Sequence, residues 1–286
     1  MDIKEITREF NREKEIKGTY KFKHVVKLFS ELAALDKESE KLRKRHGCLS
    51  WIMILLLFSA PFGLGALHPY LAPPAGVLFL VAAIVFIVKW RKAKQTDLAN
   101  DFRTFALPVL RDLAEDVAQD SKLSISIPLD PVEKSDHLTD TSDKYEKGVY
   151  HKCVDYIYSR SYLEAHLPMR DGNALAISGR VFLKKTKKSK RTPRGKYKTK
   201  VKYKKWVVFT LDLMVNPERY VCDAGAFNAS DHLKEKRAVR RKGGRESIRL
   251  RYMERIDMSR SADAGASPEL MVKEILGVYK MLRVRA

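Results

Sequence analysis

Hydrophobic and polar positions change period several times along the chain, and each change predicts an element. From Leu49 to Val88 there is no period at all, because none of the 40 residues carries a charge. His68-Pro69-Tyr70-Leu71-Ala72-Pro73-Pro74 interrupts that run with three prolines, which break helical hydrogen bonding. The pattern predicts two apolar helices, 49–67 and 70–88. The first would be roughly 28 Å long, the thickness of a bilayer core. Upstream, Val25, Leu28, Leu32 and Leu35 repeat at helical 3-4 spacing, possible as far as Leu42. That seam reads as a short coiled coil or as a helix packed on the domain or the membrane surface.

Downstream the period shortens. Lys94–Ala106 and Val109–Asp120 read as helices broken at Pro108. Leu123, Ile125 and Ile127 alternate with polar residues, which predicts a strand. Pro128–Gly148 reads as an acidic loop. Val149–Leu167, Ala174–Lys185 and Tyr197–Val215 read as strands, with Asp171-Gly172-Asn173 as a hairpin turn. Ser230–Arg241 is expected to be helical. Ile248, Leu250 and Tyr252 predict another strand, and Ser267-Pro268 caps a last amphipathic helix.

The expected fold class is therefore a membrane α-helical hairpin of two spans plus an α+β cytosolic domain, with an antiparallel sheet and a long basic β-hairpin. The expected divisions are a helical segment at 1–48, the transmembrane hairpin at 49–88 and the cytosolic domain at 89–286. Lys41, Arg43, Lys44 and Arg45 before the first span, and Lys89, Arg91, Lys92 and Lys94 after the second, put both termini in the cytosol by the positive-inside rule. No signal peptide precedes the first apolar run. The localisation expected is an integral membrane protein.

Composition sharpens one part of this picture. The chain holds 56 Lys+Arg against 35 Asp+Glu, a formal charge of +21, which points to anionic partners. Residues 184–205 alone contribute 13 basic and no acidic groups, whereas 106–150 hold 5 basic and 10 acidic. Lys196, Lys198, Lys200, Lys202 and Lys204 occupy alternate positions and share one face of a strand, about 6.6 Å apart. Tyr197, Thr199, Val201 and Tyr203 fall on the other face and continue into Val207, Phe209, Leu211 and Leu213, so the tyrosines read as core. Lys205 alone breaks that register. The root of this hairpin is expected in the sheet, with its tip at Thr192-Pro193-Arg194-Gly195. Adjacent lysines repel, which suggests that a polyanion neutralises the ladder. The competing reading is an edge strand whose lysines prevent aggregation.

A second basic cluster runs from Lys234 to Arg251. Arg240, Arg241, Lys242, Arg249 and Arg251 join the lysine ladder as candidate polyanion-binding residues, because arginine suits bidentate phosphate contacts. Alternatively they pair with the acidic 106–150 segment. Anionic lipid headgroups, nucleic acid and an acidic protein are the candidate partners, and a homo-oligomer is compatible with the sequence. No phosphate-loop, dinucleotide, nucleophile-elbow, zinc-protease or kinase motif is present, and the three cysteines (Cys48, Cys153, Cys222) lack metal-ligand spacing. His151, Cys153 and Asp155 alternate on one strand face but read as structural. No catalytic residue, metal ligand or cofactor is assigned.

The apolar run at 49–88 and the lysine-rich run leading into Lys205-Trp206-Val207-Val208-Phe209 together resemble a bacterial family of two-span membrane proteins of unknown function, with strand-rich cytosolic domains. That resemblance implies a bacterial inner membrane and carries no catalytic residue across. The function expected is a membrane-anchored, non-enzymatic scaffold or accessory protein whose basic domain contacts an anionic surface or partner. The alternative is a membrane-tethered nucleic-acid-binding protein or effector.

Overall fold

The computed structural model describes residues 14–67, 72–95, 99–118, 120–223, 236–242, 245–258 and 265–285. The chain divides into two compact units, one of Met1–Ser30 with Ala99–Ala286 and one of Glu31–Leu98. Its elements are β1 (Glu15–Lys21), α1 (Phe22–Leu67), α2 (Ala72–Gln95), a π-helical turn (Phe102–Ala106) leading into α3 (Leu107–Asp112), β2 (Lys122–Pro128), β3 (Leu138–Thr141), β4 (Tyr145–Lys147), β5 (Tyr150–Pro168), β6 (Ala174–Arg191), β7 (Tyr197–Met214), β8 (Tyr220–Cys222), β9 (Lys236–Lys242), β10 (Arg245–Ile256), α4 (Pro268–Tyr279) and β11 (Leu282–Val284).

In the smaller unit α1 and α2 pack together. The His46 and Phe86 rings lie 6.0 Å apart, and Ala83 is buried. Much of the apolar surface faces outward, including Trp51, Leu55, Phe58 and Leu78. Among the described residues, however, no helix is long and apolar enough to cross a membrane. This overturns the expected two-span hairpin, and with it the multi-pass and integral-membrane assignments. The physical reason is the distribution of charge. α1 is one 46-residue helix whose earlier part carries charged side chains from Glu31 to Arg45, and α2 ends through Lys89, Arg91 and Lys92. Of the turn expected at 68–74, residues 68–71 lie outside the described residues and 72–74 open α2 instead.

The larger unit is an antiparallel sheet in the order β1-β2-β5-β6-β7-β10-β9, with β3 and β4 on the remaining edge of β5. β1 was not anticipated; it pairs along β2 from Glu15↔Pro128 to Lys21↔Lys122. β9 replaces the expected helix at 230–241, of which 230–235 lie outside the described residues; Lys236–Lys242 pair with Arg245–Arg251. Pro108 does not end a helix. It occupies the first turn of α3, where its missing N–H leaves no bond unmade. Ser267 caps α4 as expected, its Oγ accepting from Leu270 N at 3.1 Å.

One face of the sheet is packed. Ile125, Leu175, Ile177, Val207, Phe209, Leu211, Leu250 and Tyr252 point inward and are at most 2% exposed. Phe22, Val25 and Phe29 of α1, Phe102 and Phe105, and Met271 and Ile275 of α4 are buried as well, and the Tyr252 hydroxyl reaches Met271 Sδ at 3.4 Å. Phe105 stacks on Phe209 at 5.1 Å and meets Tyr162 at 5.3 Å. Gly179 makes room for this cluster, since a Cβ there would lie 2.8 Å from the Phe209 ring. A bulge in β5 between Ser161 and Leu163 turns both Tyr162 and Leu163 inward and carries Arg160 to the packed side.

Beneath the sheet Asp101 collects three donors. Arg160 Nη2 donates at 3.3 Å, Lys205 Nζ at 3.2 Å and the Tyr162 hydroxyl at 3.4 Å. Arg160 also donates to the carbonyls of Pro128 and Ser161, and Tyr162 accepts from Ala266 N. Lys205, the residue that breaks the alternation in sequence, thus enters the interior to meet a carboxylate. Burial pulls the Arg160 guanidinium below its ordinary pKa, against the charge of Asp101. Asp101→Ala removes the carboxylate these donors share. It should cost about 3–5 kcal/mol of stability in urea unfolding, the cost of breaking a buried ion pair from one side; a loss below 1 kcal/mol would show the cluster to be peripheral.

Candidate functional site

The long strands outrun the packed layer. β6 and β7 pair without interruption from Ala174↔Met214 to Arg191↔Tyr197. β10 leaves β7 at Ile256, opposite Lys205, and β5 follows β6 only as far as Lys152↔Ser189. The turn closes through Thr192 N to Lys196 O at 2.8 Å, with Gly195 at φ 75°, a conformation that favours glycine. The hairpin and its tip fall where the sequence placed them.

Register sets what the outer face carries. Opposite one another across β6 and β7 stand Phe182 and Trp206, then Lys184 and Lys204, Thr186 and Lys202, Lys188 and Lys200, and Lys190 and Lys198. The side chains of Lys198, Lys200, Lys202 and Lys204 are exposed and pair with no carboxylate among the described residues. Lys196 lies in the turn just before β7, its backbone N–H donating to Thr192 Oγ1 at 3.2 Å. The ladder predicted from one strand is therefore half of a two-stranded field. Lys184, Lys188 and Lys190 escaped the sequence reading because pairing, not spacing, brings them opposite.

Several contacts shape this field. Asp155 accepts from Lys184 Nζ at 2.7 Å, Thr186 Oγ1 at 2.6 Å and the Tyr145 hydroxyl at 3.1 Å. Burial opposes ionisation of Asp155, but these three donors hold its carboxyl below the ordinary value. Asp155 is therefore a buttress for Lys184, and it does not serve a Cys-His site; Cys153 is fully buried and His151 is exposed. The Lys188 and Lys190 ammonium groups lie 5.6 and 6.0 Å from the Tyr150 ring. On the opposite face Lys185 pairs with Glu133, and Lys187 lies over Tyr156. Tyr197, Val201 and Tyr203 on that face are 76%, 38% and 39% exposed, so they are not core. The fully buried layer of β7 stops at Val207, and the side chains of this face beyond Lys205 are exposed.

Toward the sheet the basic face continues. Arg180, Arg251 and Arg255 are exposed and share the outward register with Ser178, Thr210 and Trp206. Arg249 also faces outward but is bound to Asp212. Arg240 is exposed on β9, opposite Ser247. Arg241 falls on the other register and donates to Glu246 at 2.8 Å. Lys242 lies at the end of β9, its side chain outside the described residues. Among the described residues of the second cluster, Arg241 and Arg249 find their carboxylates in Glu246 and Asp212. A cleft of about 680 Å³ opens where β10 leaves β7, lined by Lys202, Lys204, Trp206, Met253 and Arg255 among others. A depression of about 460 Å³ adjoins Phe182, lined by Arg180, Thr210 and Arg251.

Groups suited to covalent chemistry are scarce. The Cys222 thiol is pushed up to about 11 by burial and by its hydrogen bond with Glu246, which suppresses the nucleophilic thiolate. Among the described residues no group of three or more His, Cys, Asp or Glu could hold a metal ion.

Fold and site together define an antiparallel-sheet protein with a projecting basic arm and a partly aromatic outer face. No protein-family model, curated protein or solved structure matches the chain.

Opposed like charges cost stability. Lys200→Gln leaves Lys188 without a charge opposite it and relieves Lys198 and Lys202 alongside. Thermal unfolding at low salt should show a gain of about 0.2–1 kcal/mol, fading as salt screens the field. A destabilised variant would contradict the repulsion between the paired lysines.

Proposed function

We propose that the protein is a non-enzymatic nucleic-acid-binding protein that takes the phosphate backbone along the outer face of the β6–β7 arm. One observation carries the reading: three lysine pairs stand opposed along that arm, Lys198, Lys200, Lys202 and Lys204 are exposed and free of carboxylates among the described residues, and the field runs on into Arg180, Arg251 and Arg255. A fold maintains such repulsion at a cost unless a polyanion relieves it. Protection of an edge needs a few lysines on one strand; it does not need a second set opposite them. The aromatic pair Phe182–Trp206 within the basic field favours nucleic acid over a purely charged partner, since bases present π-faces that an acidic protein lacks. The membrane-tethered forms of this reading and of the scaffold reading fall with the predicted spans.

The test uses the full, nuclease-treated chain and a fluorescein-labelled 25-nucleotide oligonucleotide, with anisotropy recorded from low to physiological salt. Affinity should fall linearly on a log–log plot. Changing Lys198, Lys200, Lys202 and Lys204 to Gln should flatten the slope by about 3, at about 0.7 for each single-strand phosphate that is no longer neutralised. Binding that ignores salt, or that survives the fourfold change intact, would defeat the proposal.

A further inference from the structure

Phe182 and Trp206 occupy an unusual place for two large apolar rings. They stand on the outer face of the sheet, opposite one another on β6 and β7, stacked at 5.6 Å with an interplanar angle of 10°. Both are half-buried, and neither joins the aromatic cluster around Phe209 on the packed face. Cations surround them in register. Lys184 and Lys204 form the next pair toward the tip, Arg180 lies two residues away along β6, and Arg255 stands opposite Trp206 on β10. The two depressions of this face adjoin the pair, one lined by Phe182 and the other by Trp206.

From this geometry we infer that the site selects single-stranded over duplex nucleic acid, with unpaired bases stacking at Phe182 and Trp206 while lysines of the arm hold the flanking phosphates. The inference rests on the nucleic-acid reading above. A duplex stacks its bases internally and offers these rings nothing but backbone, whereas a single strand offers a π-face at every base. The arm is also the wrong shape for a groove. A major groove about 12 Å wide admits a two-stranded ribbon. Here β5 flanks β6 as far as Lys152↔Ser189, and β3 and β4 flank β5 along the same stretch, so most of the arm is four strands wide, about 14 Å of backbone before side chains are counted. Only the last residues before the turn form a two-stranded ribbon.

The experiment compares 25-nucleotide oligo(dT), oligo(U) and a mixed-sequence duplex of the same length against the full chain, by anisotropy at one fixed salt concentration. The double variant Phe182→Leu/Trp206→Leu, which keeps apolar bulk, is measured beside the unmodified protein, with thermal unfolding to confirm that it is folded. A second readout is the emission of Trp206 in a Trp51→Phe/Trp90→Phe background, which leaves it as the sole tryptophan. The single strands should bind at least tenfold tighter than the duplex. The double variant should lose about tenfold or more for single strands and little for duplex, and Trp206 emission should be quenched by oligo(dT) and oligo(U) only. Equal affinity for strand and duplex, with no effect of the double variant and no quenching, would overturn the stacking inference and leave the phosphate reading standing. Binding of neither form would remove both.

Discussion

The buried contact between Lys205 and Asp101 fixes where the sheet stops being core and becomes an arm. Above Lys205 the inward side chains of β7 are exposed; below it Val207, Phe209, Leu211 and Leu213 are fully buried. The same carboxylate draws in Arg160 and Tyr162 from β5, and Tyr162 in turn holds the segment leading to α4 through Ala266 N. An ion pair in the interior gains little net energy over an apolar pair of equal volume, but it is costly to break from one side. It therefore pins register. A slip of one residue in β7 would send Lys205 outward and drive Lys204 or Trp206 toward Asp101.

That register has a direct consequence for charge. Pairing Lys205 with Leu183 forces Lys204 opposite Lys184, Lys200 opposite Lys188 and Lys198 opposite Lys190. The arm could have separated these charges with a different frame; instead it stacks them on one face, with Asp155 and Tyr150 supporting the side nearest β5. On the opposite face Lys185 is matched to Glu133, as Lys184 is to Asp155 on the outer one, and it is only the outer face that adds Lys198, Lys200, Lys202 and Lys204, exposed and without a carboxylate among the described residues.

Much of this was legible in the chain and some was not. Alternation announced β2, β7 and β10, richness in Tyr, Val and Ile announced β5, and the lysine run with Pro193-Arg194-Gly195 announced the hairpin and its tip, because strand period, composition and turn chemistry are local properties. The lysines of β6, the aromatic pair and the Asp101 cluster depend on which residues stand opposite one another, and a single strand does not encode that. Lys205 was visible only as an irregularity, although it proves to be the anchor. β9 reads as helix because its run of basic residues has no strand period, and pairing with β10 overrides local preference. Residues 49–88 read as spans on charge-free length alone, whereas α1 continues that run from a charged helix and α2 carries it into Lys89.

Whether one face of the arm takes a nucleic-acid backbone is read most directly from lysine reactivity, mapped by mass spectrometry after brief acetylation with and without a single-stranded oligonucleotide. Lys198, Lys200, Lys202 and Lys204 should be protected, with Lys185 and Lys187 on the opposite face unchanged. Protection of both faces alike, or of neither, would contradict the one-sided field.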